Sequence, residues 1–320
     1  MVLKKMSIKK IMVSSLAVLM LLIIYLIPDN RKEINLSNNG VEYVFDNIKS
    51  TIYLIDSDDY VARTSISTCK CEAEEKAEDL LQGLIIEGTK SSIIPNGFRS
   101  IIPPGTTVKN IELKDKIITI DFSKEFLEIS EKEESKMIEA IIYTLTSIEG
   151  IDKVIIKVEG EVINKLPSGT NIPTVLDRSY GINKSYDLVN TNNIESYTVY
   201  YVNEYNNNKY YVPVTKYING KNEDRVRVII KELSSSPIYE TNLMSYLNAN
   251  ADLNNYELVG NNLKLNFNEL LLNDLDEKNI LEEVIYTISL SVNNVYENID
   301  TVSFYIDDNE VHSININDLK

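Results

Sequence analysis

Apolar and polar positions change period along this chain in a fixed order that is used twice. Residues 51–55 (TIYLI) and 60–66 (YVARTSI) read as the strands of a hairpin around the polar turn Asp56-Ser57-Asp58-Asp59. Over residues 72–87 the period becomes helical: Ala73, Ala77, Leu80, Leu81, Leu84 and Ile85 share one stripe, and Gly88 is placed to end it. After the break at Pro103-Pro104-Gly105, residues 108–113 and 117–122 predict a second hairpin through Lys114-Asp115-Lys116. Ser130 and Glu133 have the spacing of a capping box. They precede a helix whose face is Met137, Ile141, Leu145 and Ile148, with Ile138 and Ile142 beside it and Gly150 at its end. Residues 151–158 are a last strand.

The order then returns. Residues 197–202 and 210–217 predict a tyrosine-rich hairpin around Asn206-Asn207-Asn208. Residues 223–233 predict a helix with Val226, Ile229, Ile230 and Leu233 inward. Residues 256–259 and 263–267 flank Gly260-Asn261-Asn262, where Gly-Asn supplies the positive φ of a tight turn. Asp276 is a candidate N-cap for a helix carrying Leu281, Val284, Ile285, Ile288 and Val292, and residues 299–306 close the set. Single letters match as well. Ile120-Asp121-Phe122-Ser123 falls on Leu265-Asn266-Phe267-Asn268, Tyr143-Thr144 on Tyr286-Thr287, and residues 85–92 on 229–236. A repeat of roughly 145 residues is too long for a solenoid and is the size of a domain.

The expected fold class is therefore α+β. Each of two tandem copies is expected to be a small mixed or antiparallel sheet with two helices on one face. The expected boundaries are a cytoplasmic tip and transmembrane anchor at 1–30, a stalk at 31–49, and a first domain at 50–162. A linker, or an extension packed on the first unit, follows at 163–195, and a second, diverged domain at 196–315.

Charge narrows the partners. The 320 residues carry a net charge of −16. Lys4, Lys5, Lys9 and Lys10 stand in the first ten residues without an acid, so the remainder sums to −16 − 4 = −20. Such a surface is repelled by phosphate backbones, which excludes nucleic acid as a partner and disfavours lying flat on anionic lipid. Residues 11–27 hold seventeen uncharged, mostly apolar positions after Lys9 and Lys10. As a helix they span roughly 25 Å, and snorkelling lysines extend that reach to a membrane anchor with a cytoplasmic N-terminus. The rival is a cleavable signal peptide, but PDNRKEIN offers no small-residue cleavage pair, and no Cys is at hand for lipid attachment. An uncleaved anchor with extracytoplasmic domains is expected.

The two cysteines, Cys69 and Cys71, are one residue apart. That spacing suits two free thiols in a loop better than a bridge between them, with an intermolecular bridge as the alternative. His312 is the one histidine. No HExxH, CxxC, GxSxG, GxxxxGK or calcium-loop motif is present, and no catalytic residue, metal site or cofactor is expected. Asp56, Asp58 and Asp59 read as a polar hairpin tip rather than a cation site, lacking the glycine and distal Glu of a calcium loop. Asp121, Ser123 and Glu125 could be taken for a carboxylate pair of a hydrolase, but the second copy has Asn266 and Asn268 there. Capping of the strand-end turn serves both copies, and Phe122 and Phe267 read as core. Tyrosines 197, 200, 201, 205, 210, 211 and 217 either pack across their hairpin or present a binding face. Tyr197, Tyr200, Tyr201, Tyr210 and Tyr211 are the candidate interaction surface.

The matching residues include Leu84 to Gly88, Ile102-Pro103-Pro104-Gly105-Thr106, Ile120 to Ser123, Tyr143-Thr144-Leu145-Thr146 and Val154 to Gly160. With these the chain resembles the GerMN domain of GerM-type sporulation and spore germination proteins. Leu166 to Asn183 resembles the tail that follows that domain's last strand. The second copy is eroded: its Pro-Pro-Gly is lost and IDFS has become LNFN. The resemblance spans roughly residues 50–315 and brings no catalytic motif. It implies a non-enzymatic role between mother cell and forespore, with protein partners of an envelope complex and self-association through a helix face and a sheet edge. It also implies a lipoprotein anchor, which this chain would replace by the helix at 11–27. The alternative is a module binding cell-wall glycan or peptide on the tyrosine hairpin. A hydrolase using Asp121 or Glu125 is a third reading, without a partnered base.

Overall fold

A computed structural model describes residues 48–220, 224–235, 241–274, 279–296 and 299–319. The expected anchor at 11–27, the stalk up to residue 47 and the candidate cap Asp276 lie outside the described residues. Among the described residues no helix is long and apolar enough to cross a membrane.

The first copy runs β1 (Ile48–Asp56), β2 (Val61–Thr68), α1 (Ala73–Leu84), β3 (Phe98–Arg99), β4 (Val108–Lys114), β5 (Ile117–Phe122), α2 (Glu134–Leu145), β6 (Lys153–Val158) and β7 (Glu161–Val162). β8 (Ser185–Asp187) leads into the second copy: β9 (Ile194–Tyr205), β10 (Asn208–Asn219), α3 (Arg225–Ser234), β11 (Leu253–Val259), β12 (Asn262–Phe267), α4 (Glu282–Val292), β13 (Thr301–Ile306) and β14 (Asn309–Asn315). Residues 48–49, expected in the stalk, already belong to β1.

The expected single sheet per copy is corrected. Four strands of each copy form a mixed sheet, β4-β5-β6-β7 and β11-β12-β13-β14. The middle pairs β5–β6 and β12–β13 are parallel because a helix crosses over between them. The hairpins β1-β2 and β9-β10 leave these sheets and join each other, with β3 and β8, in a third. The first copy's helices consequently lie between two sheets rather than on one face: α1 packs on β1, β2 and β4, and α2 on β1, β2 and β6. The sequence accounts for it. Every residue of α2 from Met137 to Leu145 is buried, which only a helix covered on both sides requires. β5 keeps the one-sided alternation of a sheet surface, with Ile118, Ile120 and Phe122 buried.

The helix register is also corrected. Buried Met137, Ile138, Ile141 and Leu145 correspond to buried Val284, Ile285, Ile288 and Val292, each 147 positions on (284 − 137 = 147). Tyr143-Thr144 therefore matches Leu290-Ser291, one helical turn past the Tyr286-Thr287 suggested by the letters. Likewise buried Ala77, Leu80, Leu81 and Leu84 correspond to Val226, Ile229, Ile230 and Leu233, 149 positions on (226 − 77 = 149). Residues 85–92 thus do not fall on 229–236.

Ser130 and Glu133 do not form a reciprocal box: Ser130 Oγ donates to Glu133 Oε2 at 3.1 Å, and the α-helix starts at Glu134. α4 begins at Glu282 with Leu281 in the cap position. The stretch after β7 is built onto the first copy. Leu166, Ile172, Leu176 and Ile182 are buried in its core, and Leu176 bridges Val154 of β6. Cys69 and Cys71 are bonded to each other. The chain bends between them, bringing their Cα atoms to 5.3 Å, within reach of a bridge.

Candidate functional site

Of the residues singled out in the sequence, Tyr200, Tyr210 and Asp56 meet at the junction of the two copies. β2 meets β10 antiparallel with Arg63 opposite Tyr211, so the two hairpins make one continuous sheet. Asn183, from the extension, lies over this seam. Its amide nitrogen donates to the carbonyls of Val61 (2.8 Å) and Pro213 (2.7 Å), one in each copy. Its own N–H donates to Glu139 Oε2 at 2.9 Å, and Lys184 pairs with the same carboxylate at 3.4 Å. Burial raises the Glu139 carboxyl and depresses the Lys184 ammonium, so the pair tempers two costs.

Contacts across the junction join equivalent residues. The hydroxyls of Tyr53 and Tyr200 share a hydrogen bond of 2.9 Å, and 200 − 53 = 147. Asn203 Nδ2 donates to Asp56 Oδ2 at 3.1 Å, and 203 − 56 = 147. The helices behind repeat the relation: the N–H of Tyr53 donates to Thr144 Oγ1 and that of Tyr200 to Ser291 Oγ, both at 2.9 Å. A residue contacting its own counterpart is the signature of a two-fold arrangement. The duplicated fold is packed on itself as an intramolecular pseudo-dimer.

At the polar hairpin tip Ser57, Asp58 and Asp59 are exposed, as expected, but Asp56 is a buried connector. Asp56, 4% exposed, accepts from the N–H groups of Asp58 (3.0 Å) and Tyr60 (2.8 Å) within its turn. It also accepts from Asn203 and from the Tyr210 hydroxyl (3.0 Å) across the junction. Burial lifts its carboxyl above the ordinary range, against the opposing pull of these four donors.

The candidate tyrosine surface is corrected accordingly. Tyr200, Tyr201 and Tyr210 are 1%, 8% and 6% exposed, too little to serve as an open platform. Tyr201 donates to Glu232 at 2.8 Å, and Tyr210 packs edge-on against Phe98. Tyr211 is half-buried and stacked on Tyr286, with ring centroids 5.2 Å apart. Tyr197 is half-buried on the wall of a cleft.

That cleft, about 710 Å³, opens between the copies. Tyr143, Thr146, Asp152 and Arg178 line it from the first copy, and Thr198, Thr215, Ser291 and Asn294 from the second. Burial pushes the Tyr143 hydroxyl up to about 12, so it stays protonated at neutral pH. Arg178 was not singled out by sequence reasoning. Its signal was faint: an arginine in a stretch from 166 to 183 that also folds back onto the core.

The other candidates stand apart from the junction. Asp121 accepts from the N–H of Gly160 at 2.9 Å, tying β5 to the β6–β7 turn rather than capping its own. In the second copy Asn266 donates to Asp308 at 2.8 Å across the matching gap. Ser123 Oγ accepts from the N–H of Thr107 at 3.0 Å, sixteen positions back, and caps no turn of its own, whereas Asn268 Oδ1 accepts from that of Leu270 at 3.1 Å and does cap its turn. Glu125 is half-buried, and the Ser123 hydroxyl holds its carboxyl below the usual range. His312 lies on β14 opposite Phe304. Cys69, Cys71 and Glu75 bring ligand atoms within 4.8 Å of one another, but the two sulfurs are bonded to each other and offer no thiolate.

Comparison with known proteins accords with the doubled architecture. A family model described as "Germane: Sporulation and spore germination" matches residues 51–164 and again 198–312. The chain is similar to "Spore germination protein GerM" of Bacillus subtilis (strain 168), 34% identical over 250 residues, covering 75% of this chain and 67% of that protein. Among solved structures, the tandem GerMN domains of the sporulation protein GerM from Bacillus subtilis match with a TM-score of 0.75 and 30% identity. That match covers 85% of this chain and 94% of the other.

Proposed function

This chain belongs to the Germane family of sporulation and spore germination proteins, and from that premise we propose that it is a membrane-anchored, non-enzymatic assembly factor. It docks protein partners of an envelope complex between mother cell and forespore. The observation that carries this reading is the pseudo-dimer junction. Joining two hairpins into one sheet and burying Asp56, Tyr53 and Tyr200 turns two domains into one stiff body. Stiffness of that kind serves a scaffold, which must hold two outward faces at a fixed angle. The mixed sheets carry those outward faces, with Leu258 and Val259 exposed on β11 and Val162 on β7. The apolar segment at 11–27 supplies the anchor in this reading, with its lysines on the cytoplasmic side.

The burial of Tyr200, Tyr201 and Tyr210 weighs against a wall-binding platform on that hairpin. The test is crosslinking and capture of the tagged full chain from sporulating cells, together with a deletion strain. Recovery of other envelope-complex proteins and loss of spore formation are expected. Normal spores from the deletion strain, with no envelope protein recovered, would contradict the proposal.

A further inference from the structure

The cleft between the copies has a charge balance opposite to that of the chain. Lys116, Lys153, Arg178 and Arg225 line it against Asp152 and Asp177, giving 4 − 2 = +2, whereas the whole chain carries −16. Neither acid reaches Arg178. Asp152 pairs with Lys116 at 3.3 Å, and Asp177 accepts from the N–H and the hydroxyl of Ser179. Arg178 is held by neutral acceptors only. Its Nε donates to Thr146 Oγ1 at 2.9 Å, Nη1 to Asn294 Oδ1 at 3.2 Å and Nη2 to the Thr146 carbonyl at 3.5 Å. The Tyr143 ring lies under the guanidinium, 5.1 Å from centroid to Cζ, and fixes its plane. A guanidinium has five N–H donors, so two are left to point elsewhere. Its ionisable neighbours are tyrosines 53, 143 and 200; no carboxylate pairs with it among the described residues. A half-buried cation braced in one orientation without a counter-ion is costly for a fold to keep, and an arriving anion removes that cost.

We propose that this cleft binds an organic carboxylate, with Arg178 as the group that receives it. The planar fork of a guanidinium matches a carboxylate in bidentate fashion. One unneutralised guanidinium suits a monoanion, where a phosphate dianion would need a second cation at the same point. The rest of the ligand would meet Ser196 and Tyr197, half-buried on the cleft wall, and about 710 Å³ lies in the range of small-molecule sites. Thr146 comes from the first copy and Asn294 from the second, so the receptor exists only while the copies are docked. The site is independent of the docking role proposed above.

The test uses the full chain in detergent and three probes: N-acetylglycine, its neutral amide N-acetylglycinamide, and inorganic phosphate. N-acetylglycine at ten times its Kd is expected to raise Tm by about 2–3 °C. It is also expected to slow phenylglyoxal modification of Arg178, followed by mass spectrometry, at least fivefold. The amide should do neither, and Arg178→Gln should lose the Tm response while Arg178→Lys keeps a weaker one. The protection assay needs no variant, so a poorly folding Arg178→Gln does not blunt the test. Absence of both effects with N-acetylglycine, equal effects from the amide, protection by phosphate but not by N-acetylglycine, or an Arg178 inert to the reagent without ligand would each overturn the proposal.

Discussion

Tyr53 and Tyr200 are counterparts in the two copies, and their hydroxyls bond to each other at 2.9 Å in the interior of the junction. Neither side can be altered alone without stranding the other. Tyr53→Phe is expected to cost about 1–3 kcal/mol, because it leaves the Tyr200 hydroxyl buried and unpaired. Tyr53→Phe with Tyr200→Phe together should cost less than the sum of the two single changes, since an apolar pair strands no polar group. A double-mutant cycle by urea unfolding measures it. Additivity to within about 0.5 kcal/mol would show that the hydroxyls do not interact.

Asp56 gives the junction a pH dependence. Its carboxyl titrates above the ordinary 3.8 in the folded chain because burial disfavours the charged form. A group whose folded pKa is raised adds stability below its unfolded pKa and loses it as pH rises through the folded one. Asp56→Asn removes this dependence. It also sets an amide N–H₂ against the donors of Asn203 and Tyr210, at a cost of about 1–3 kcal/mol at pH 7. The stability gap between parent and variant should therefore widen as pH falls from 7 toward 4, in thermal melts at matched ionic strength. A gap that narrows over that range would mean the carboxyl is not raised.

The corrected helix register makes a sharp comparison possible. Ser291 accepts the N–H of Tyr200 in β9, whereas Thr287 bonds only carbonyls of its own helix, those of Glu283 and Val284. Ser291→Ala is expected to cost about 1–3 kcal/mol by leaving a buried N–H unpaired, and Thr287→Ala about 1 kcal/mol or less for its hydrogen bonds. Thr144→Val in the first copy should resemble Ser291→Ala. Guanidinium melts of the three variants decide it, and a larger loss for Thr287→Ala would return the register to the one the letters suggest.

These cases show what the chain discloses by itself. β5 was legible to the residue, since period-2 alternation with one buried face has few alternatives over Ile117–Phe122. The register of α4 against α2 was not. An apolar helix nearly repeats its pattern after one turn, so Tyr143-Thr144 and Tyr286-Thr287 match in letters while lying one turn apart in space. The partition into three sheets was hidden because a hairpin's sequence specifies its own pairing and says little about which sheet it joins. Asp56 looked like a turn residue, and it is one. Its second pair of bonds, to Asn203 and Tyr210, comes from a segment some 147 positions away that no local pattern announces. Tyrosine in a strand is equally suited to packing and to display, and here Tyr200, Tyr201 and Tyr210 pack.

The Cys69–Cys71 bridge replaces the expected pair of free thiols. It closes a loop of three residues, so its loss should cost about 1.6 kcal/mol at most on loop-closure grounds. Alkylation followed by mass spectrometry should find no free thiol in the isolated chain and two after reduction, with Tm shifting by a few degrees. Two alkylated cysteines without reductant would restore the original expectation.

The central claim is that the two copies form one body through their shared sheet. Hydrogen exchange across a urea series, read at the amides of Tyr53 in the first copy and Tyr200 in the second, tests it most directly. Each amide is bonded at 2.9 Å to a helix hydroxyl in its own copy, so each reports its own half. A single body requires both to lose protection at the same denaturant concentration and with the same dependence on it. Exposure of one amide while the other stays protected would mean two domains that merely touch.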